Sequence, residues 1–142
     1  MNSQFFASNY GYPTLKTPSY KVENDQRFYS AEEGYVKGNL DRRIYKGYRN
    51  YQPLMPTKSN ERCSRLIDIG IVYAAKHDLK LILDVYPQDQ ELIRMFNKYR
   101  LEEKRLVEDY ERKYGPLDTC SSAMENYPWA WVEGPWPWEG DK

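Results

Sequence analysis

His77 is the only histidine among the 142 residues, so a Ser-His-Asp or Cys-His nucleophilic arrangement would have to be built around it. No partner stands at a telling spacing. A carboxylate-bridged dimetal site in a helical bundle calls for Glu-x-x-His pairs, and Ala74 occupies the position where the glutamate is required. Cys63 and Cys120 lie far apart and form no CxxC, which gives zinc and dithiol-redox chemistry no support and predicts two free thiols. The reading is of a chain without a catalytic group, a metal or a cofactor.

Asp78 is the carboxylate with the most to explain. It shares a helical stripe with Ile71, Ala75 and Ile82 and is expected to face a helix-helix seam, where a buried carboxylate needs a partner. Antiparallel pairing about Tyr86 would bring it near Arg94, Asn97 and Lys98, in a structural pair that fixes helix register.

The aromatic residues point to contact chemistry instead. All four tryptophans fall in the run Tyr127-Pro128-Trp129-Ala130-Trp131-Val132-Glu133-Gly134-Pro135-Trp136-Pro137-Trp138. Its prolines remove backbone donors and bias the preceding residues toward extended geometry, so the run is expected to be an extended or polyproline-like arm rather than a helix. Four indoles left in water would make a patch that soluble monomers rarely expose. Trp129, Trp131, Pro135, Trp136, Pro137 and Trp138, with Tyr45 and Tyr48, are the candidate partner-binding residues.

Tyr35, Tyr45, Tyr48 and Tyr51 interleave with Lys37, Arg42, Arg43, Lys46 and Arg49, a mixture that can grip phosphates and stack on bases. A formal net charge of zero argues against nucleic acid as the partner. Fourteen tyrosines, eight of them before residue 52, also suit oxidative dityrosine cross-linking, although aromatic burial between chains accounts for them without chemistry.

These side chains must be positioned by few elements, and the expected fold class is all-α. Residues 1–28 hold tyrosines and prolines without a helical or strand period and read as an irregular N-terminal arm. Ser30-Ala31-Glu32-Glu33 is a capping box that starts a short helix ended by Gly38, and a tyrosine-rich connector then runs to about residue 58 and is expected to lie across the central helices. From residue 59 onward, Ser59 or Asn60 caps a helix with Ile67, Ile71, Ala74, Ala75, Leu79, Ile82, Leu83 and Val85 at three- and four-residue spacing. It stops at Tyr86-Pro87. A second helix from about Gln88 to Tyr114 carries Leu92, Phe96, Tyr99, Leu106 and Tyr110 on one stripe and ends at Gly115-Pro116. Pro87, Gly115 and Pro116 are thus structural terminators, and the short link makes the long helices an antiparallel two-helix hairpin. Glu61 with Arg65, Glu108 with Arg112 and Asp109 with Lys113 are spaced for i,i+4 ion pairs. The organisation expected is an arm over 1–28, a short helix and connector over 29–58, and the hairpin with its Trp/Pro tail over 59–142.

A hairpin of this kind has one shared seam and would be marginal alone, so the remaining faces need cover from the connector, the tail or another protein. Charge is uneven along the chain: residues 1–58 carry nine Lys/Arg against five Asp/Glu, and the tail from Pro116 carries one against five. Opposite ends of this sort favour contact, by folding back or by joining neighbours. Mean hydropathy of -0.92 and an apolar run broken by Asp68 and Gly70 leave no membrane span. The first residues lack a basic and then apolar leader, so synthesis and retention in a cytoplasm are expected.

The stretch Asp78-Leu79-Lys80-Leu81-Ile82-Leu83-Asp84-Val85-Tyr86-Pro87-Gln88-Asp89, then Phe96-Asn97, Tyr110-Glu111-Arg112-Lys113-Tyr114-Gly115-Pro116-Leu117 and the two Trp-x-Trp units about Pro135, resembles the spore coat protein CotJB family over roughly residues 62–139. The resemblance implies a noncatalytic component of the inner endospore coat, made in the mother-cell cytoplasm and deposited in the coat. It implies a small CotJA-like protein and a CotJC-like protein, the latter resembling manganese catalases, as partners; self-association is open to the chain as well. Tyr29-Ser30-Ala31-Glu32-Glu33-Gly34 and Gly38-Asn39-Leu40 are similar to CotJA, with Asp41 where a bulky apolar residue is usual. A fusion of the two parts and an extended CotJB variant both fit. An assembly module of the coat is the leading functional reading, and an aromatic module for glycan or peptidoglycan-like polymers is the alternative.

Overall fold

The computed structural model describes residues 27–132. Most of the expected arm, residues 1–26, and the tail positions Pro135, Trp136, Pro137 and Trp138 lie outside the described residues. Within them the protein is helical, with α1 at Ala31–Lys37, α2 at Glu61–Val85, α3 at Gln90–Tyr114 and two single 3-10 turns at Ser122–Glu125 and Ala130–Val132. There is no strand among the described residues, only an isolated antiparallel bridge between Phe28 and Asp41.

Each boundary follows from a cap. The Ser30 hydroxyl accepts the Glu33 N–H at 3.2 Å while the Glu33 carboxylate accepts the Ser30 N–H at 3.4 Å, completing the expected capping box. Gly38, at φ 72°, ends α1 in the left-handed conformation that a side chain would strain, and its N–H and that of Asn39 close back on Tyr35 and Gly34. Asn60, rather than Ser59, caps α2 by accepting the Cys63 N–H at 2.7 Å. α3 begins at Gln90, two residues later than its apolar pattern suggests, because the Asp89 carboxylate takes the N-terminal N–H groups of Glu91 and Leu92 at 3.0 and 3.1 Å. Gly115 at φ 95° closes it.

The two long helices, each roughly 38 Å, form the expected antiparallel hairpin. Ion pairs hold it along its length. Lys113 meets Glu61 at 2.6 Å where α2 begins and α3 ends, and Lys76 pairs with Glu103 in a half-buried position across the seam. Of the three expected i,i+4 pairs, Glu61 with Arg65 forms at 3.0 Å. Arg112 turns to Asp109 at 3.4 Å and Lys113 crosses to the other helix, since a neighbour one turn away or across the seam offers a closer carboxylate.

The core is closed from a different direction than the connector suggests. Leu40, Ala75, Leu79 and Leu92 make its buried centre, with Phe28, Ala31, Ile82, Met95, Phe96 and Tyr99 packed around them. Leu40 comes from the segment just after α1 and enters the hairpin as a plug, 1% exposed. α1 sits on α2 with the Tyr35 ring against Gly70, where a Cβ would come 3.3 Å from the phenol oxygen. The connector, in contrast, leaves Tyr48 82% and Leu54 83% exposed and does not cover the hairpin there. Val85, counted on the apolar stripe of α2, is exposed at the end of the helix.

Candidate interaction surface

Three groups of residues stand out on the surface: the cation-aromatic cluster beside α1, the open connector and the aromatic tail. The first is built on an antiparallel clasp in which Tyr29 N–H donates to Leu40 C=O at 2.9 Å and Arg42 N–H to Arg27 C=O at 3.1 Å. The clasp sets Arg27 and Arg43 about the buried Asp41, while the Arg42 guanidinium donates to Phe28 C=O at 3.1 Å and pairs with Glu33. Arg43 lies 2.6 Å and Arg27 3.3 Å from the Asp41 carboxylate. Burial pushes that carboxyl up, but the hydrogen bonds and charge of Arg43, with help from Arg27, outweigh it and hold the group below the usual carboxylate range. Asp41 is thus the anchor of the clasp, and an apolar residue there could not organise the two guanidinium groups.

Tyr29 stands between the Lys37 ammonium at 5.0 Å and the Arg42 guanidinium at 4.5 Å, and meets Tyr45 edge-on with centroids 6.2 Å apart. Tyr45, a candidate partner-binding residue, is therefore half-buried and spoken for on one edge. Tyr48 is open and meets Tyr51 edge-on, at 6.5 Å.

Asp78 faces inward as its stripe suggests, but its partner is neither Arg94, Asn97 nor Lys98. Its carboxylate accepts the backbone N–H of Leu40 at 2.8 Å. The α1 segment lies over this face of α2 and presents a donor that would otherwise be buried without an acceptor, so the bond fixes the plug rather than the register of the two long helices. Pro87 is exposed in the turn between α2 and α3, and Gly115 and Pro116 are half-buried at the end of α3.

Beyond Pro116 the chain folds back on α3. The Glu111 carboxylate accepts the Leu117 N–H at 2.8 Å and the Ser121 hydroxyl at 2.6 Å, which seats the first 3-10 turn. A shallow polar groove lined by Glu108, Glu111, Arg112, Ser122, Ala123 and Asn126 separates this turn from the helix. Trp129 and Trp131 follow, 55% and 39% exposed, with Tyr127 99% exposed. The described part of the tail is not uniformly extended: the Tyr127-Pro128 bond is cis and Ala130–Val132 makes one 3-10 turn, which three residues free of proline can do.

His77 is exposed and stacks on Tyr73 at 6.2 Å, on the outside of α2. Cys63 and Cys120 are free thiols, and no three His, Cys, Asp or Glu residues gather in a metal-binding geometry among the described residues. No described helix is long and apolar enough to cross a membrane.

Sequence reasoning singled out Asp78, which holds the Leu40 segment, and named the tail, Tyr45 and Tyr48 as candidates, but it did not give Leu40, Asp41, Arg27 and Glu111 the structural parts they play. One signal for Leu40 was available. It is the lone large apolar residue just beyond a helix-ending glycine, where the chain commonly returns a hydrophobic contact.

A capped helical hairpin, plugged from its N-terminal side and leaving aromatic side chains exposed, is a small all-α scaffold. Its family is equally plain: the chain belongs to the spore coat protein CotJB family, whose model, described as CotJB protein, matches residues 65–139. It is accordingly a spore coat-associated protein. No curated protein and no solved structure matches the chain.

Proposed function

We propose that this protein is a noncatalytic assembly component of the inner layers of the endospore coat, made in the mother cell, and that it binds coat partners through its aromatic tail and connector. The observation that carries the reading is the coincidence of coat-family membership with large apolar side chains that the fold leaves open: Tyr48, Leu54, Tyr127 and Trp129 are all more than half exposed. Residues of this size on a small scaffold are typical anchors of protein interfaces. The partners are a CotJC-like, manganese catalase-like protein and a CotJA-like protein, whose own segment the residues around Tyr29–Leu40 resemble.

The test is a binding experiment with the purified catalase-like coat protein, comparing the intact chain with one carrying Trp129→Ala and Trp131→Ala, and with one ending after Leu117. The intact chain is expected to retain the partner and both altered chains to lose it. Equal retention by all three would overturn the reading.

A further inference from the structure

We infer that the connector and the tail are made for each other across two copies of this chain, which pair as a closed two-fold dimer. The inference rests on the reading of these segments as contact surfaces, and it assigns to a second copy their charged residues with Tyr48, Leu54, Tyr127 and Val132, leaving Trp129 and Trp131 to the coat partner.

Residues 42–58 carry Arg42, Arg43, Lys46, Arg49 and Lys58 and no carboxylate, whereas residues 116–132 carry Asp118 and Glu125 and no cation. Lys46 and Arg49, on either side of Tyr48, have no carboxylate partner among the described residues, and neither does Glu125 have a cationic one. Both segments also present apolar side chains: Tyr48 and Leu54 are 82% and 83% exposed in the first, Tyr127 and Val132 99% and 65% in the second. Opposite charge and open aromatic surface on both sides are the two ingredients of a specific polar-rimmed contact.

Their position decides the symmetry. The connector runs into the Asn60 cap of α2, the tail leaves from the end of α3, and the 2.6 Å contact between Glu61 and Lys113 fixes these two points together at one end of the hairpin. Glu111 holds the start of the tail at that same end. The two segments meet the hairpin at one end, and in a single chain Tyr48 and Leu54 of the first and Tyr127 and Val132 of the second stay exposed. A second copy turned by a two-fold axis at this end sets each connector against the opposite tail and makes both contacts at once. Complementary patches at opposite ends would propagate a filament; patches at one end close.

Sedimentation equilibrium of the full chain, at low and high salt, is the measurement. One variant carries Lys46→Glu with Arg49→Glu; a second carries Asp118→Asn with Glu125→Lys, the asparagine keeping the acceptor for the Cys120 N–H; unchanged helical circular dichroism certifies the fold of each. The wild-type chain is expected at twice its 17.0 kDa mass, with weaker association at high salt. Each variant alone should sediment as a single chain, because like charges then face each other, and an equal mixture of the two should recover the dimer. A wild-type chain that stays single, or assembles beyond two copies, or variants that fail to recover pairing when mixed, would overturn the inference. A single chain that still binds the catalase-like partner defeats the pairing and leaves the proposed function standing; a dimer that does not bind it does the reverse.

Discussion

The Asp78 carboxylate, on the inner side of α2, accepts the backbone N–H of Leu40 at 2.8 Å and so pins the plug of the hydrophobic core. Asp78→Ala would leave that N–H buried beside Leu40 without an acceptor, at a cost of roughly 2 kcal/mol. Asp78→Asn keeps an acceptor and loses the charge, and should cost about 1 kcal/mol. Urea denaturation reads both, and amide exchange should show α1 loosening first. Equal stability of wild type and Asp78→Ala would mean that the bond contributes nothing.

Asp41 makes acid stability depend on the clasp. Its folded-state carboxyl titrates below its unfolded value, so its contribution is present in full above the unfolded value and is lost as pH falls through the folded one. Asp41→Asn should therefore be less stable than wild type at neutral pH, with the gap narrowing below about pH 4. A gap that is the same at both pH values would contradict the ion-pair account.

Gly34→Ala sets helix propensity against packing. Alanine would favour α1 by up to about 1 kcal/mol, but its Cβ would lie 3.1 Å from Leu40 Cδ1 and 3.3 Å from Leu40 Cα. Leu40 is fully enclosed and cannot retreat, so packing wins and a net loss of about 1 kcal/mol is expected in thermal or urea unfolding. A gain in stability would show that the plug is looser than its burial indicates.

The tail and the core should respond oppositely. Leu79, 0% exposed, should cost about 3 kcal/mol on replacement by alanine. Trp129→Ala, at a side chain 55% exposed, should change folding stability by less than about 0.5 kcal/mol while reducing recovery of the protein in purified coats. A large loss of stability on Trp129→Ala would assign the indole to the fold instead.

Much of the scaffold was legible because it rests on local rules. Ser30 with Glu33, Asn60, Tyr86-Pro87 and Gly115-Pro116 mark the helix ends through bonds spanning only a few residues, and the periodicity of Ile67, Ile71, Ala75 and Leu79 marks the buried face of α2. The closure of the core was not legible. Asp78 and Leu40 are 38 residues apart, and nothing in either neighbourhood announces a backbone donor as the partner of a side-chain acceptor. Charge pairing misled for the same reason: Lys113 looked as suited to Asp109 on its own helix as to Glu61, and the choice between them is made by the tertiary approach of α2.

Because Leu40 lies outside residues 65–139, the stretch by which the family is recognised lacks one of the four side chains at the centre of this core. A fragment cut to those limits would present the Leu79 and Leu92 seam to solvent with its stopper missing, and should clump or recruit a substitute. The upstream clasp therefore supplies part of the core of the recognisable half of the molecule, and expression designs need to include it.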